Sequence, residues 1–154
     1  PITWNWAFLE SNNSVGVEDN NITAMTVLRH SGIVFAFNSD IWKKFKLGEL
    51  VSFNDNKTGS PALRNTVYEP QEGDMPLPPI QGIKDLQARG SLFCVCDLAT
   101  KVYGSAVAKK MNLNPDDVYS EMVKGILPEI QLVPSGVWAL GRAQNMNCAY
   151  IFAG

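Results

Sequence analysis

Ser91-Leu92-Phe93-Cys94-Val95-Cys96, followed at once by Asp97-Leu98-Ala99-Thr100-Lys101-Val102, decides the fold class. The six uncharged residues are too few for a helix and show no polar alternation, the pattern of a strand covered on both faces of a parallel sheet. Asp97 suits the cap of the helix that follows, whose buried stripe is expected at Leu98, Val102, Ala106 and Met111.

Toward the C-terminus the alternation continues. Asn114-Pro115-Asp116-Asp117 supplies a cap, a first-turn proline and two acids for the positive end of a helix that runs to about Lys124 and stops at Gly125. Ile130-Gln131-Leu132-Val133 reads as a strand, Ser135 as the next cap, Val137, Trp138 and Leu140 as an apolar helix face, and Cys148-Ala149-Tyr150-Ile151-Phe152 as a last strand. Toward the N-terminus, Pro79 suits a first helical position, with Ile80, Ile83 and Leu86 on one face and Gly90 as the stop. Further upstream, the branched apolar run from Ile22 to Leu28 reads as a buried strand. After a turn at Ser31-Gly32, Asn38 or Ser39 can cap a helix that buries Ile41, Trp42 and Phe45 and ends at Gly48. Strand and helix in alternation predict an α/β domain over residues 1–154, with a parallel sheet and helices on both faces.

One stretch interrupts the rhythm. From about residue 52 to 79 the chain turns to Asn, Asp, Gly and Pro, including Asn54-Asp55-Asn56, Gly59-Ser60-Pro61 and Pro76-Leu77-Pro78-Pro79. So long a loop inside a compact domain reads as an active-site cover, an arm for a neighbouring subunit or a surface insertion. Arg64 within it could reach an anion, although a lone arginine is more commonly a solvated charge.

Composition narrows the function classes. Thirteen basic against fifteen acidic residues leave a net charge of −2, with no basic run to neutralise a row of phosphates, so no nucleic-acid partner is expected. A hydrophobic fraction of 45% is enough for one core. No apolar stretch reaches the roughly 20 residues of a membrane span, because Arg29, His30, Lys43 and Lys44 interrupt the most apolar region. The chain opens on Pro1 rather than Met, which suggests that residues once preceded it. Three cysteines cannot all pair internally, and Cys94 and Cys96 lie at the limit of disulfide reach along one strand, so free thiols are expected.

In a parallel sheet, ligands gather at the carboxyl ends of the strands. Three groups should share that rim: His30 after the first visible strand, Cys96 at the end of the second, and Pro134-Ser135-Gly136 after the third. Cys96 is the candidate nucleophile, because the start of a helix favours a thiolate. His30 could exchange its proton or add a positive charge, and the Ser135 turn could bind an anion through free N–H groups. The bland reading of Cys96, a small core residue, carries about equal weight. Cys94, one step deeper on the same face, reads as core with a resolving thiol as the minority reading, and Cys148 as structural. Cys-x-Cys is not a metal knuckle and there is no second histidine, so no metal site is expected from His30, Cys94 and Cys96. Asp55-Asn56-Lys57-Thr58-Gly59 lacks the closing acid of a calcium loop. A phosphate loop and Gly-x-Ser-x-Gly are both absent, and no cofactor is expected. Trp42 and Trp138 read as core or subunit contacts rather than substrate platforms.

The blocks Gly90 to Cys96, Leu127 to Leu140 and Ala149-Tyr150-Ile151 resemble the DsrE/DsrF-like family over about residues 82–154. Leu28-Arg29-His30, Ala36-Phe37-Asn38, Lys46-Leu47-Gly48-Glu49 and Phe93-Cys94-Val95-Cys96 resemble its bacterial branch of proteins with a twin-arginine translocation signal. The resemblance implies a five-stranded flavodoxin-like sheet, trimers or hexamers, a periplasmic location and sulfur relay on a cysteine that Cys96 matches. Cys94, Asp97, Pro134, Ser135 and Gly136 are the candidate binding residues around that thiol, with a sulfur donor or acceptor protein or a small ligand as the partner to expect. Two departures stand out. Asp97 occupies the position where the family motif has glycine, setting an anion beside the thiol. The family's first strand also has no counterpart, only the aromatic stretch from Ile2 to Phe8. A sulfur carrier is therefore weighed against a non-catalytic oligomeric module that binds a small ligand or metal.

Overall fold

A computed structural model describes residues 2–152. Among them three strands, β1 (Met25–Leu28), β2 (Leu92–Cys96) and β3 (Ile130–Val133), form a parallel sheet in the order β1-β2-β3. The registers Leu28↔Val95 and Cys96↔Val133 align the carboxyl ends of all three. Seven α-helices flank the sheet: α1 (Ile2–Ser14), α2 (Ser39–Phe45), α3 (Leu47–Leu50), α4 (Ile83–Ala88), α5 (Asp97–Met111), α6 (Pro115–Lys124) and α7 (Gly136–Asn145). Strand alternation sends Thr26 and Val27 to opposite faces. Asn5 of α1 donates to Thr26 at 2.9 Å, whereas Gly136 of α7 lies against Val27 and Arg29, so helices reach both faces.

Several sequence expectations are revised. The first strand starts three residues later than Ile22, because Asp19–Asn21 forms a 3-10 turn that Ile22 closes. No strand forms over 148–152, where Tyr150, Ile151 and Phe152 are exposed. Ile2 to Phe8 belongs to α1, anchored by buried Ile2, Asn5 and Leu9, with Ser91 donating to Asn5 at 2.8 Å. The helix expected from Pro79 starts only at Ile83, after Gly82. Gly48 does not end α2. Lys46 does, in left-handed backbone, and Gly48 continues into α3.

The expected buried stripe of α5 is rotated. Leu98 and Val102 stand in solvent, while Thr100, Gly104, Val107 and Ala108 are buried. The cause is α6, whose Met122 and Tyr119 approach where Gly104 has no side chain. Helix-on-helix packing thus overrides the apolar pattern, since close approach needs a small residue rather than a large one. Asn114 caps α6 as the sequence indicates, accepting from Asp116 and Asp117.

The long Asn/Gly/Pro segment packs on the core of its own chain. Ala62 and Val67 are buried, and Ile83 and Lys84 donate their N–H groups to the Val67 and Tyr68 carbonyls. Buried Asn65 donates to the Phe35 and Phe37 carbonyls at 2.9 and 2.8 Å and accepts from the Val67 N–H. Arg64 forks onto the fully buried Asp74 carboxylate at 2.9 and 2.5 Å. The segment supplies the polar partners that a buried loop requires. Against it lie α2 and α3, where Trp42 is fully buried and donates to the Val34 carbonyl at 2.8 Å.

Candidate functional site

Cys96 ends β2 in extended backbone, and the chain turns into α5 at the next residue, so Cys96 rather than Asp97 is the N-cap. Its Sγ accepts the Ala99 N–H at 3.3 Å, and its carbonyl accepts the Thr100 hydroxyl at 2.9 Å. An N-cap acceptor satisfies an orphan donor of the first turn, and a thiolate does so better than a thiol. Helix α5 has 15 residues, enough for a full dipole at this end.

The same strand face carries Cys94 toward the strand middle. Both thiols are buried, at 5% exposure for Cys94 and 6% for Cys96. Burial first, and the neighbouring Cys96 second, push the Cys94 thiol up to about 11. Cys94 is therefore protonated at neutral pH, as its core reading requires. Cys148 is exposed and free.

Asp97 opens α5 but is turned toward α6. Its carboxylate accepts the Tyr119 hydroxyl at 2.6 Å and the Lys101 ammonium at 2.7 Å. Burial works to raise its pKa, but Lys101 and Tyr119 outweigh that and hold it below the usual carboxylate range. Sharing the anion with Lys101 and Tyr119 weakens the opposition to a thiolate that its position in the sequence suggested. Neither partner was singled out from the sequence. The i,i+4 spacing of Asp97 and Lys101 was the available signal.

The turn after β3 closes the rim. The Leu98 N–H donates to the Pro134 carbonyl at 3.4 Å, joining the start of α5 to the Pro134-Ser135-Gly136 turn. Ser135 caps α7 by accepting the Trp138 N–H at 3.2 Å. Gly136 is buried, and a Cβ there would lie 2.9 Å from the Arg29 Cβ. Cys96, Asp97, Pro134, Ser135 and Gly136 therefore form one neighbourhood.

His30 opens the 3-10 helix after β1 with φ of 51°, is exposed, and its side chain makes no hydrogen bond among the described residues. Arg29 continues in extended backbone one step past the Leu28↔Val95 pair, a register position that falls by strand alternation on the face of Val27 and Cys94, where its side chain lies against Gly136. Among the described residues no carboxylate pairs with Arg29. The two-residue alternation from Val27 to Arg29 carried this signal in the sequence.

Two clefts of the described surface lie away from Cys96. One, of about 220 Å³, is lined by Asn38, Arg64, Asn65, Tyr68 and Glu69. The other, open and wide, adjoins Asp19, Ile22 and Arg89 at the amino end of the sheet. Among the described residues no three His, Cys, Asp or Glu side chains are grouped to hold a metal. Among the described residues no helix is long and apolar enough to cross a membrane. No family model, curated protein or solved structure matches the chain. The likeness to the DsrE/DsrF-like family therefore rests on the residues quoted above.

Proposed function

We propose that this chain is a DsrE-like, flavodoxin-like domain that carries sulfane sulfur on Cys96. The observation that carries the reading is the Cys96 sulfur at the N-cap of α5, accepting the Ala99 N–H. In the step proposed, the Cys96 thiolate attacks the outer sulfur of a donor persulfide. The donor S–S bond breaks, a Cys96 persulfide forms, and the electron pair leaves on the donor thiolate, so no external oxidant or reductant is needed. An acceptor thiolate then attacks the outer sulfur of the Cys96 persulfide, the S–S bond breaks and the electron pair returns to the Cys96 thiolate; Arg29 lowers the cost of that anion in both transfers. His30, exposed on the same rim, exchanges the proton. A periplasmic location and a homo-oligomeric state belong to the same reading.

A second reading is favoured by the 6% exposure of Cys96 and by clefts that lie away from it. In it the domain is a non-catalytic oligomeric module that binds a small ligand or metal.

Alkylation mapping of the native protein separates the two, with exposed Cys148 as the internal control thiol. The carrier reading expects Cys96 to be alkylated in the native protein and to retain sulfur after incubation with a persulfide donor. Labelling of Cys148 alone, with no trapped persulfide at Cys96, refutes it.

A further inference from the structure

The cleft of about 220 Å³ is lined by Asn38 and Ser39 from the start of α2 and by Arg64, Tyr68, Glu69 and Gln71 from the long segment, while Leu127 supplies its aliphatic part. Its walls are tied together before any ligand arrives. Buried Asn65 donates its N–H to the Ser39 hydroxyl at 3.2 Å and its amide to the Phe35 and Phe37 carbonyls, which fixes the segment to α2. The Gln71 N–H and both terminal nitrogens of Arg64 hold the buried Asp74 carboxylate. A site held in this way has little freedom left to lose on binding.

Charge disfavours two ligand classes. Arg64 is spent on Asp74 and has a second carboxylate, Asp55, at 3.7 Å, so no net positive charge remains to draw an anion. Glu69 is paired with Lys84, and Asp55 lies outside the lining and accepts the Lys57 and Thr58 N–H groups, so no unpaired carboxylate in the cleft draws a cation. What remains is hydrogen-bonding capacity of both kinds. Asn38 uses its carbonyl oxygen on the Ile41 N–H and keeps its NH2, and the Ser39 oxygen accepts from Asn65 and keeps its proton to donate. Glu69 keeps one carboxylate oxygen, and the Tyr68 hydroxyl and Gln71 amide have no partner among the described residues. Donors and acceptors grouped in this way match adjacent hydroxyls, each of which gives and takes a hydrogen bond. The half-buried Tyr68 ring supplies the apolar surface that the C–H side of a sugar needs. The volume is below the about 300–1,000 Å³ of pockets for drug-sized ligands, so it has room for one small ring.

We propose that this cleft binds a neutral, hydroxyl-rich ring of monosaccharide size, an inference that rests on the small-ligand part of the second reading above and gives it a place and a chemistry. Amide shifts of the full chain, titrated separately with glucose, galactose and N-acetylglucosamine, test it, with inorganic phosphate and putrescine as the anionic and cationic probes. One of the sugars should give saturable shifts at 38–39, 64–71 and 127, with a Kd of about 1 mM for so small a ligand. Tyr68→Phe and Gln71→Ala should each weaken it by about fivefold. Tyr68→Phe keeps the ring and Gln71 is exposed, and an unchanged melting midpoint establishes that each variant folds. No saturable shift with any of the sugars, a stronger response to phosphate or putrescine, or binding that both variants leave unchanged overturns the proposal. Sugar shifts that saturate elsewhere on the chain overturn the cleft while leaving the small-ligand reading standing, and alkylation of Cys96 is unaffected by any of these results.

Discussion

Gly48→Ala and Gly141→Ala are the same chemical change in two helices, and the structure gives them opposite signs. A Cβ on Gly48 would lie 2.3 Å from the Ala62 carbonyl oxygen and 2.5 Å from its nitrogen. Both atoms are backbone of the long segment, which is anchored by Asn65 and by the Arg64–Asp74 pair, so neither can swing aside. Overpacking of this kind costs about 1–3 kcal/mol and more where backbone must move, and here the clash is severe. The gain from replacing glycine in a helix is at most about 1 kcal/mol, and α3 has only four residues in which to realise it. The net expectation for Gly48→Ala is a loss of about 2 kcal/mol, or a melting midpoint lower by about 4–8 °C for a chain of this size. Gly141, in the exposed middle of α7, has nothing within 4 Å of the added carbon. There the substitution should add about 0.5–1 kcal/mol. Urea unfolding with linear extrapolation measures both, provided the slope is unchanged. A neutral or stabilising Gly48→Ala would refute the packing of the long segment on α3.

Acid sensitivity should centre on the other anchor of that segment. Burial pushes the Asp74 carboxyl up, but the Arg64 fork and the Gln71 N–H outweigh it and hold it below its ordinary value. A depressed folded value means that the contribution is present above the unfolded value, near 3.9, and is lost as pH falls through the folded one. Arg64→Met leaves a buried carboxylate unpaired and should cost about 3 kcal/mol at pH 7, with a deficit that shrinks toward pH 4; chemical denaturation at several pH values reads this, and a deficit independent of pH would count against it. Arg89 ties Glu10 and Asn13 of α1 to Asp19 and Gln81. Arg89→Met should loosen α1 before the rest unfolds, seen as faster amide exchange over 5–14 with β2 unchanged; uniform exchange across the chain would contradict it. Tyr119→Phe removes the hydroxyl from Asp97, so the Asp97 pKa should rise, read from the pH dependence of its carboxyl chemical shift. An unaltered titration of Asp97 would show that the Tyr119 hydroxyl does not hold it.

Local chemistry made β2, the α6 cap at Asn114 and the α7 cap at Ser135 legible in the sequence. In each, a short apolar run or a side-chain oxygen satisfies backbone groups a few residues away, with no distant partner needed. Gathering Cys96 with the Pro134 turn was equally readable, because parallel strands bring their carboxyl ends to one side. Long-range geometry decided the rest. The α5 stripe turned from Leu98 and Val102 to Thr100 and Gly104 because α6 needs a small residue at the crossing. Cys148 to Phe152 has strand composition but pairs with no edge in this structure, and composition cannot supply the neighbour that a strand requires. Asp97 looked hostile to a thiolate until Tyr119, 22 residues away, was found to hold it. Arg29 reads in the sequence only as a charge interrupting an apolar region, whereas in the structure it lies one register step past Leu28↔Val95 with its side chain against Gly136. The sequence by itself determined which segments are strands or helices where the signal is local. Only the tertiary structure decided what holds Asp97 and where Arg29 falls, because such neighbours are set by register and helix crossing rather than by separation along the chain.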